Sequence, residues 1–118
     1  MQTAIQSIAA HAHQVGVKGI KAYIAGPMTG LPDFNFNAFF RVADKLRAYG
    51  IAVVNPAEIN AGQSMDWHAC MRADITELVK CNTIVMLRGW ELSAGATLEH
   101  HIATRLGMAV VFEDEQPA

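Results

Sequence analysis

The chain has 118 residues, which is the length of one folded domain with a core of its own. Its 52% hydrophobic and 17% charged residues exclude a disordered chain and a coiled coil. The formal net charge of −2 excludes the strongly basic surface that a nucleic acid polymer requires, so we expect any ligand to be a small molecule.

Residues 1–19 are predicted to form a helical extension, because their apolar side chains recur on one face of a short helix. We expect that face to pack against the domain, residues 20–118, or against a neighbouring subunit, with His11 and His13 in solvent. The extension lacks the basic start and the long apolar run of a signal peptide, and no run in the chain is long enough to cross a membrane. The sequence therefore predicts a cytoplasmic protein that does not bind a membrane.

The cysteines and histidines show no metal-binding pattern. Cys70 and Cys81 are eleven residues apart, which fits neither a disulfide framework nor a zinc site, so we expect two free and mostly buried thiols. His100 and His101 are adjacent and point about 100° apart on a helix, so they do not face one ion as an i, i+4 pair does. The sequence predicts neither a metal nor a cofactor.

From Lys21 onward, short apolar runs alternate with longer segments of helical period, which is typical of βαβ units. Because the runs are almost continuously apolar, we expect a parallel sheet covered by helices on both faces. Right-handed crossovers then give an α/β fold, a doubly wound, flavodoxin-like parallel sheet of about four strands in the order 2-1-3-4. The predicted strands are Ala22–Ala25, Ile51–Val54, Thr83–Leu87 and Ala109–Phe112.

Three helices are predicted from the helical spacing of apolar residues. The first is capped by Asn35 or Asn37 and ends before Gly50, the second starts near Ser64, and the third follows Ser93. The acidic tail, residues 113–118, is expected to be frayed. The predicted apolar faces are Phe36, Phe39, Phe40, Ala43 and Leu46 in the first helix, Trp67, Met71, Ile75 and Leu78 in the second, and Leu98, Ile102 and Leu106 in the third.

The loops after the first and third strands are candidate binding loops. Ligands of open parallel sheets bind beyond the carboxyl ends of the strands, where the strand order reverses, and in this order that point lies between these two strands. Both loops carry glycines, and the second leads into a helix whose first amides can bind an anion such as phosphate. Neither loop is a nucleotide-binding fingerprint, and plain turns explain both equally well. The candidate binding residues are Gly26, Pro27, Met28, Thr29 and Gly30 in the first loop and Gly89, Trp90, Ser93 and Gly95 in the second.

Two carboxylates lie near this switch point. Glu99 is in the second turn of the third helix beside small residues that leave room for a ligand, although a solvated glutamate is the commoner case. Asp74 lies on or at the edge of the apolar face of the second helix, where desolvation equips a carboxylate to exchange protons. A buried aspartate that caps an amide or pairs with Arg72 or Arg88 explains Asp74 equally well. Two carboxylates from different helices, one nucleophilic and one handling a proton, are the groups needed to cleave a glycosidic bond.

Three segments together resemble the nucleoside 2-deoxyribosyltransferase superfamily: Tyr23 to Gly30, the helix that carries Asp74, and Gly89 to Gly107. The likeness is to a short DUF4406-like branch that is common in phages and prophages, with its GPMTG loop and its Gly-Trp-Glu-x-Ser-x-Gly-Ala-x-x-Glu run. It covers roughly residues 21–113.

The resemblance implies a role for each matching residue. Glu99 matches the glutamate that attacks the anomeric carbon and forms a glycosyl-enzyme intermediate. Asp74 matches the aspartate that orients this nucleophile or handles the proton at the base, and Tyr23 matches the tyrosine close to the nucleophile. Ser93, six residues before Glu99, resembles the serine that contacts a 5′-phosphate in the nucleotide-hydrolysing branch, whereas the nucleoside-transferring branch has an aspartate there.

The chain also departs from the longer transferases, because it ends just after the fourth predicted strand and lacks their fifth strand and C-terminal pocket residues. We therefore expect hydrolysis or binding to be favoured over transfer between bases. Members of the superfamily complete their sites across subunit contacts, so the resemblance implies a homo-oligomer, a dimer or higher.

These observations predict N-glycosidic bond cleavage or transfer on a small nucleoside or nucleoside 5′-monophosphate through Glu99. The alternative is a non-catalytic nucleotide-binding or sensing module of the same fold, but Glu99, Asp74 and Tyr23 together favour catalysis. A third interpretation, a flavodoxin-like electron carrier, is disfavoured because the first loop lacks the run of hydroxyl residues that an FMN phosphate requires.

Overall fold

The computed structural model of the chain describes residues 19–59 and 66–113. The predicted helical extension, His11, His13 and the predicted helix start near Ser64 lie outside these residues, and the division of the chain at residue 19 stays a prediction. Within the described ranges, no helix is both long enough and apolar enough to cross a membrane.

The described residues form one sheet of four parallel strands, which confirms the predicted α/β class. The strand order is β2-β1-β3-β4, so β1 and β3 are neighbours although β2 lies between them in the chain. Tyr23, in the middle of β1, is opposite Val54 of β2 and Ile84 of β3. The strands are β1 (Lys21–Ala25), β2 (Ala52–Val54), β3 (Thr83–Met86) and β4 (Ala109–Phe112).

Within the described residues, four α-helices and two short 3-10 turns connect the strands. The 3-10 turns are Pro32–Asn35, which follows the first predicted binding loop, and Trp90–Leu92, which lies within the second. The helices are α1 (Phe36–Ala48), α2 (Pro56–Ile59), α3 (Trp67–Leu78) and α4 (Ala94–Arg105).

Hydrophobic clusters on both faces of the sheet hold the fold together. Because side chains alternate along a strand, Ala22 and Ile24 of β1 pack with the buried side of α1, while Tyr23 and Ala25 pack on the opposite face with Leu78 of α3 and residues of α4. Each large apolar side chain that is fully buried contributes about 1.5–3 kcal/mol. The buried side of α1 consists of Phe39, Val42, Ala43 and Leu46, as the helical spacing predicts.

The buried face of α4 differs from the prediction. Leu98 and Leu106, predicted to pack in the core, are 38% and 59% exposed, and only Ile102 contacts the core cluster. The buried residues of α4 are Ala96, Glu99 and Ala103. Small side chains let the helix approach the sheet closely. The spacing of large apolar residues therefore does not predict this face of α4.

The structure also shows how helix α3 is capped and where Glu113 lies. Helix α3 begins at Trp67, where the carboxylate of Asp66 caps it by accepting a hydrogen bond from the amide of Ala69 at 2.7 Å. Glu113, placed by prediction in a frayed tail, is anchored: its carboxylate accepts hydrogen bonds from the guanidinium of Arg41 and from the amide of Arg88, both at 2.9 Å.

Candidate functional site

A cavity of about 270 Å³ opens at the carboxyl ends of the strands, beside the switch point between β1 and β3. Its walls come from the loop after β1, the turn that precedes α1, and the helices α1 to α4. This is the position at which open parallel sheets bind ligands. The lining residues are Gly26, Met28, Thr29, Phe34, Phe36, Phe39, Pro56, Trp67, Cys70, Met71, Asp74, Ser93, Gly95, Ala96 and Glu99.

Glu99 lines this cavity and is hydrogen-bonded to Tyr23. Glu99 lies on the inner side of α4 and is only 5% exposed, and Tyr23 of β1 is completely buried beneath it. The Tyr23 hydroxyl donates a hydrogen bond to Oε2 of Glu99. One carboxylate oxygen is therefore fixed by the sheet, while the side chain as a whole borders the cavity.

The buried position of Glu99 changes its acidity. Burial raises the pKa of its carboxyl group from an ordinary 4.5 to about 8; the hydrogen bond from Tyr23 opposes this rise, and the nearby charge of Asp74 adds to it. The pKa of the Tyr23 hydroxyl is raised well above its ordinary value, mainly by burial and then by the charge of Glu99. Tyr23 thus stays protonated and remains a hydrogen-bond donor to Glu99.

Asp74 contributes a second carboxylate to the same cavity. It lies on α3 between the buried residues Met71 and Leu78 and is 6% exposed, which confirms that it belongs to the apolar face of this helix. Burial is the main cause of the raised pKa values of Glu99, Tyr23 and Cys70, and the charge of Asp74 adds to each of them. The two carboxylates that the sequence singles out therefore meet in one site.

The mouth of the cavity is aromatic. Phe34 and Trp67 line it and remain 60% and 44% exposed, whereas Phe36 is half-buried and Phe39 is fully buried in the wall. The Phe34 and Phe36 rings are tilted with centroids 5.9 Å apart, and the Phe36 ring meets that of Phe40 edge-on at 6.5 Å. A flat heteroaromatic ring is the ligand part that such a surface favours.

Three consecutive non-glycine residues next to this mouth adopt the left-handed backbone conformation. They are Asp33, Phe34 and Asn35, with φ of 49°, 54° and 60°. Each such residue costs on the order of 1 kcal/mol, most for the bulky Phe34. Asn35 precedes α1, as predicted, but its side chain does not cap the helix. Its Nδ2 donates instead to the carbonyl of Pro27 at 3.0 Å, which ties the turn to the loop after β1.

The predicted binding loops are only partly at the cavity. Five of the nine predicted binding residues line it, namely Gly26, Met28, Thr29, Ser93 and Gly95. The other four, Pro27, Gly30, Gly89 and Trp90, are not among its lining residues. Gly30 and Gly89 instead have φ of 82° and 87°, a backbone conformation in which glycine is unstrained, so they shape the loops.

Trp90 is not among the residues that line the cavity of the two carboxylates. It borders a second, more open hollow of about 550 Å³ at the ends of β3 and β4, together with Phe112 and Glu113. Its ring stacks on that of His100 with centroids 4.5 Å apart. Trp90 and His100 therefore pack against each other outside the main cavity.

Ser93 has a structural role at the start of α4. Its Oγ accepts a hydrogen bond from the amide of Ala96 at 3.1 Å, so it is the N-cap of the helix that carries Glu99. Gly95 allows close packing there, because a Cβ at this position would lie 3.0 Å from Sδ of Met71. Among the described residues that line the cavity there is no lysine, arginine or histidine, and the charged side chains are those of Asp74 and Glu99.

The sequence did not predict several of the residues that line the cavity. The spacing of Phe36 and Phe39 assigned them to the core face of α1, and Met71 and Trp67 to that of α3, although these residues also face the ligand space. Phe34 gave no signal, because it precedes the periodic segment. Among the described residues no cluster of His, Cys, Asp and Glu can hold a metal ion, and Cys70 and Cys81 are thiols that form no disulfide with each other.

Comparisons with known proteins agree with this architecture. The model of a family described as a domain of unknown function (DUF4406) matches residues 20–112. A solved structure described as a 2-desoxiribosyltransferase from Leishmania mexicana has a similar fold, with a TM-score of 0.64 and 20% sequence identity over 83% of this chain and 67% of that one. No curated protein matches the sequence.

Proposed function

The chain belongs to the DUF4406 family, and from that premise and the geometry of the cavity we propose that it cleaves or transfers the N-glycosidic bond of a small nucleoside, with Glu99 as the nucleophile. The observation that carries the proposal is the hydrogen bond from the buried Tyr23 hydroxyl to the Glu99 carboxylate, in a cavity that also contains Asp74. A carboxylate that is oriented by one donor and accompanied by a second buried carboxylate is suited to nucleophilic catalysis at an anomeric carbon. The fold of the Leishmania transferase supports this reading by analogy.

In the proposed reaction, the proton that burial holds on Glu99 at neutral pH first passes to Asp74. An oxygen of the ionised Glu99 then forms a bond to the anomeric carbon while the bond from that carbon to the base nitrogen breaks. The electron pair leaves with the base, and a proton from Asp74 neutralises it. Water or a second base then attacks the anomeric carbon and displaces the Glu99 carboxylate, and Asp74 takes up the proton that the attacking group releases. Two displacements at the same carbon retain its configuration.

Tyr23 supports the step in which charge develops on Glu99. Its hydrogen bond favours the ionised carboxylate and lowers the pKa of Glu99, against the larger opposing effect of burial. It also holds Oε2, so that the reacting orientation is set before the substrate binds. Tyr23 therefore positions and activates the nucleophile.

The substrate is a nucleoside or its 5′-monophosphate. Thr29, Ser93 and Gly95 line one cavity, so a phosphate near them can accept hydrogen bonds from the two hydroxyls and from amides at the start of α4. The carboxylates of Asp74 and Glu99 in the same wall repel a phosphate, which favours the uncharged nucleoside. The two substrate classes are separated directly by experiment.

A second candidate is a nucleotide-binding or sensing module without turnover. It is favoured by the pKa of Glu99, about 8, because a carboxyl group that carries its proton at neutral pH is not a nucleophile. In this alternative the protonated Glu99, held in place by Tyr23, is a hydrogen-bonding group for a ligand. The two candidates differ in one observable, the release of free base.

The experiment that tests the proposal is incubation of the protein with ribonucleosides, 2′-deoxyribonucleosides and their 5′-monophosphates, with and without a second free base as acceptor. Free base measured by chromatography reports hydrolysis, and a new nucleoside reports transfer. Release of base that depends on Glu99 supports the proposal. Binding without release from any member of the panel supports the sensing module.

We further propose that the working form is a cytoplasmic homo-oligomer, a dimer or higher. The apolar side chains of Leu92, Leu98 and Leu106 at and along α4 are exposed by 93%, 38% and 59%, and a second subunit would cover them. Membership of a phage or prophage branch of the family is proposed from the sequence motifs alone.

A further inference from the structure

Phe34 is placed in a way that does not stabilise the fold. Its side chain is 60% exposed, and its contact with the rest of the aromatic wall is the tilted ring of Phe36 at 5.9 Å. A phenylalanine on the surface gains little from burial. The presence of a large aromatic ring at this position thus has to be explained by something other than the core.

The backbone of Phe34 adds to this contrast. With φ of 54°, it lies in the left-handed region that asparagine and glycine tolerate and that a bulky residue avoids. The conformation is nevertheless held on both sides: the amide of Phe34 donates to the carbonyl of Leu31 at 3.0 Å, and the side chain of Asn35 donates to the carbonyl of Pro27 at 3.0 Å. Backbone strain that the surroundings maintain is concentrated at functional sites.

The ring of Phe34 borders the cavity that contains Asp74 and Glu99. It is the exposed end of a row of three rings, Phe34, Phe36 and Phe40, whose inner members pack against the core. The row supports the Phe34 ring from one side, and its exposed surface is left for a ligand. Aromatic rings in such positions stack on flat heteroaromatic rings, and they accept different heteroaromatic rings because each has a flat π face.

We propose that Phe34 is a substrate-binding residue that stacks on the heteroaromatic base of the ligand at the cavity mouth, and that Asn35 is the positioning residue that holds it there. That the ligand ring is a nucleobase rests on the proposed function, whereas stacking of a ligand ring on Phe34 does not require turnover. Phe34 then binds the base, and the buried carboxylates act on the sugar. Purine bases, with the larger ring surface, are expected to bind more tightly than pyrimidine bases.

The test compares the full-length wild-type protein with the variants F34G and F34Y. Calorimetric titration with adenine, cytosine and 2-deoxyribose measures the base and the sugar separately. F34G is expected to bind adenine about tenfold more weakly or worse, because it loses the stacking surface, and to bind 2-deoxyribose like wild type. F34Y keeps the ring and is expected to retain adenine affinity.

Thermal unfolding of the same variants separates a binding role from a structural one. Glycine adopts the left-handed conformation freely, so F34G is expected to fold with a Tm close to that of wild type. A Tm that falls in parallel with affinity contradicts the proposal. So do equal adenine affinities of F34G and wild type, and an absence of adenine and cytosine binding to wild type at millimolar concentration.

Two further variants complete the experiment. Y49A removes an aromatic ring of similar exposure, 52%, that does not line the cavity, and it is expected to leave adenine binding unchanged. N35A is expected to weaken adenine binding like F34G, because the tie to Pro27 is lost, and unchanged binding contradicts the positioning role. If the proposed reaction is wrong, a Glu99 variant still releases free base. That result does not affect the expected difference in adenine affinity between F34G and wild type.

Discussion

The hydroxyl group of Tyr23 in β1 donates a hydrogen bond to the carboxylate of Glu99 in α4, 76 residues further along the chain. The contact links β1, one of the two inner strands of the sheet, to the helix that follows β3, across the switch point of the strand order. Because both residues are buried, their pKa values depend on one another. The predictions below follow from this pair and from the groups around it.

The variant Y23F removes the hydroxyl and leaves the ring. The pKa of Glu99 is then expected to rise further, since the one effect that lowers it is lost. We expect kcat for base release to fall about 10- to 100-fold, as for loss of a hydrogen bond to a charged group, and the rising limb of the pH-rate profile to move to higher pH. Y49F changes the only other tyrosine and serves as the control. An unchanged profile in Y23F contradicts the activating role.

The stability of the protein is expected to depend on the ionisation of Glu99. The folded protein holds the Glu99 proton up to about pH 8, whereas the unfolded chain releases it near 4.5. Between these values the folded state binds more protons, so the contribution of Glu99 to stability is complete below 4.5 and is lost as pH rises through 8.

The variant E99Q is expected to lose this dependence. At pH 5 its Tm is expected to equal that of wild type, and at pH 8 and above to exceed it, by roughly 5 °C or more. Differential scanning calorimetry across this range measures the difference. A constant offset between the two proteins at all pH values contradicts a raised pKa of Glu99.

The effect of Asp74 on kcat is expected to depend on whether the departing base needs a proton. The variant D74N keeps the size of the side chain, and we expect kcat for ordinary nucleosides to fall about 10²- to 10⁴-fold. Nucleosides with an N7-methylated purine carry a positive charge on the base and leave without a proton, so D74N is expected to turn them over at a rate close to wild type. D44N, on the exposed side of α1, is the control. Equal losses on both substrate classes indicate a structural role for Asp74.

Two variants of Ser93 separate helix capping from phosphate binding. S93A loses the acceptor for the amide of Ala96 and is expected to lose about 1 kcal/mol of stability. S93D keeps a capping oxygen but brings a negative charge, so it is expected to be stable and to discriminate against a 5′-monophosphate. The ratio of kcat/KM for a nucleoside 5′-monophosphate to that for the nucleoside decides the question. If S93D leaves this ratio unchanged, the phosphate does not lie at Ser93.

The fold was predictable because its signal is local. Four short, continuously apolar runs alternate with helical segments, and the handedness of crossovers leaves few ways to join them. The predicted order 2-1-3-4 is the observed one, and the limits of each strand agree within one residue. The same argument placed Glu99 and Asp74 near the switch point, where the structure brings them into one cavity.

The remaining features depend on contacts between distant segments. The inner face of α4 is made of Ala96, Glu99 and Ala103. Of the three residues predicted to pack there, Ile102 contacts the core cluster, whereas Leu98 and Leu106 are exposed. The left-handed conformation of Phe34 is maintained by hydrogen bonds to Leu31 and, through its neighbour, to the loop after β1, which no local pattern reveals. Aromatic residues such as Trp67 were assigned to the core because periodicity does not distinguish a core from a cavity wall.

Covalent labelling of Glu99 by the sugar of the substrate tests the central claim most directly. Wild-type protein is quenched with acid during turnover of the best substrate, digested with trypsin and sequenced by tandem mass spectrometry. The peptide between Arg88 and Arg105 contains both Glu99 and Glu91, and the exposed Glu91 is an internal control. We predict a pentosyl adduct on Glu99 and none on Glu91, its absence from E99Q, and a loss of turnover in E99Q well beyond the roughly 10²- to 10⁴-fold typical of a general acid or base, with E91Q as active as wild type. An E99Q variant that releases base at a rate close to wild type, without any adduct on the wild-type protein, contradicts the glycosidic mechanism.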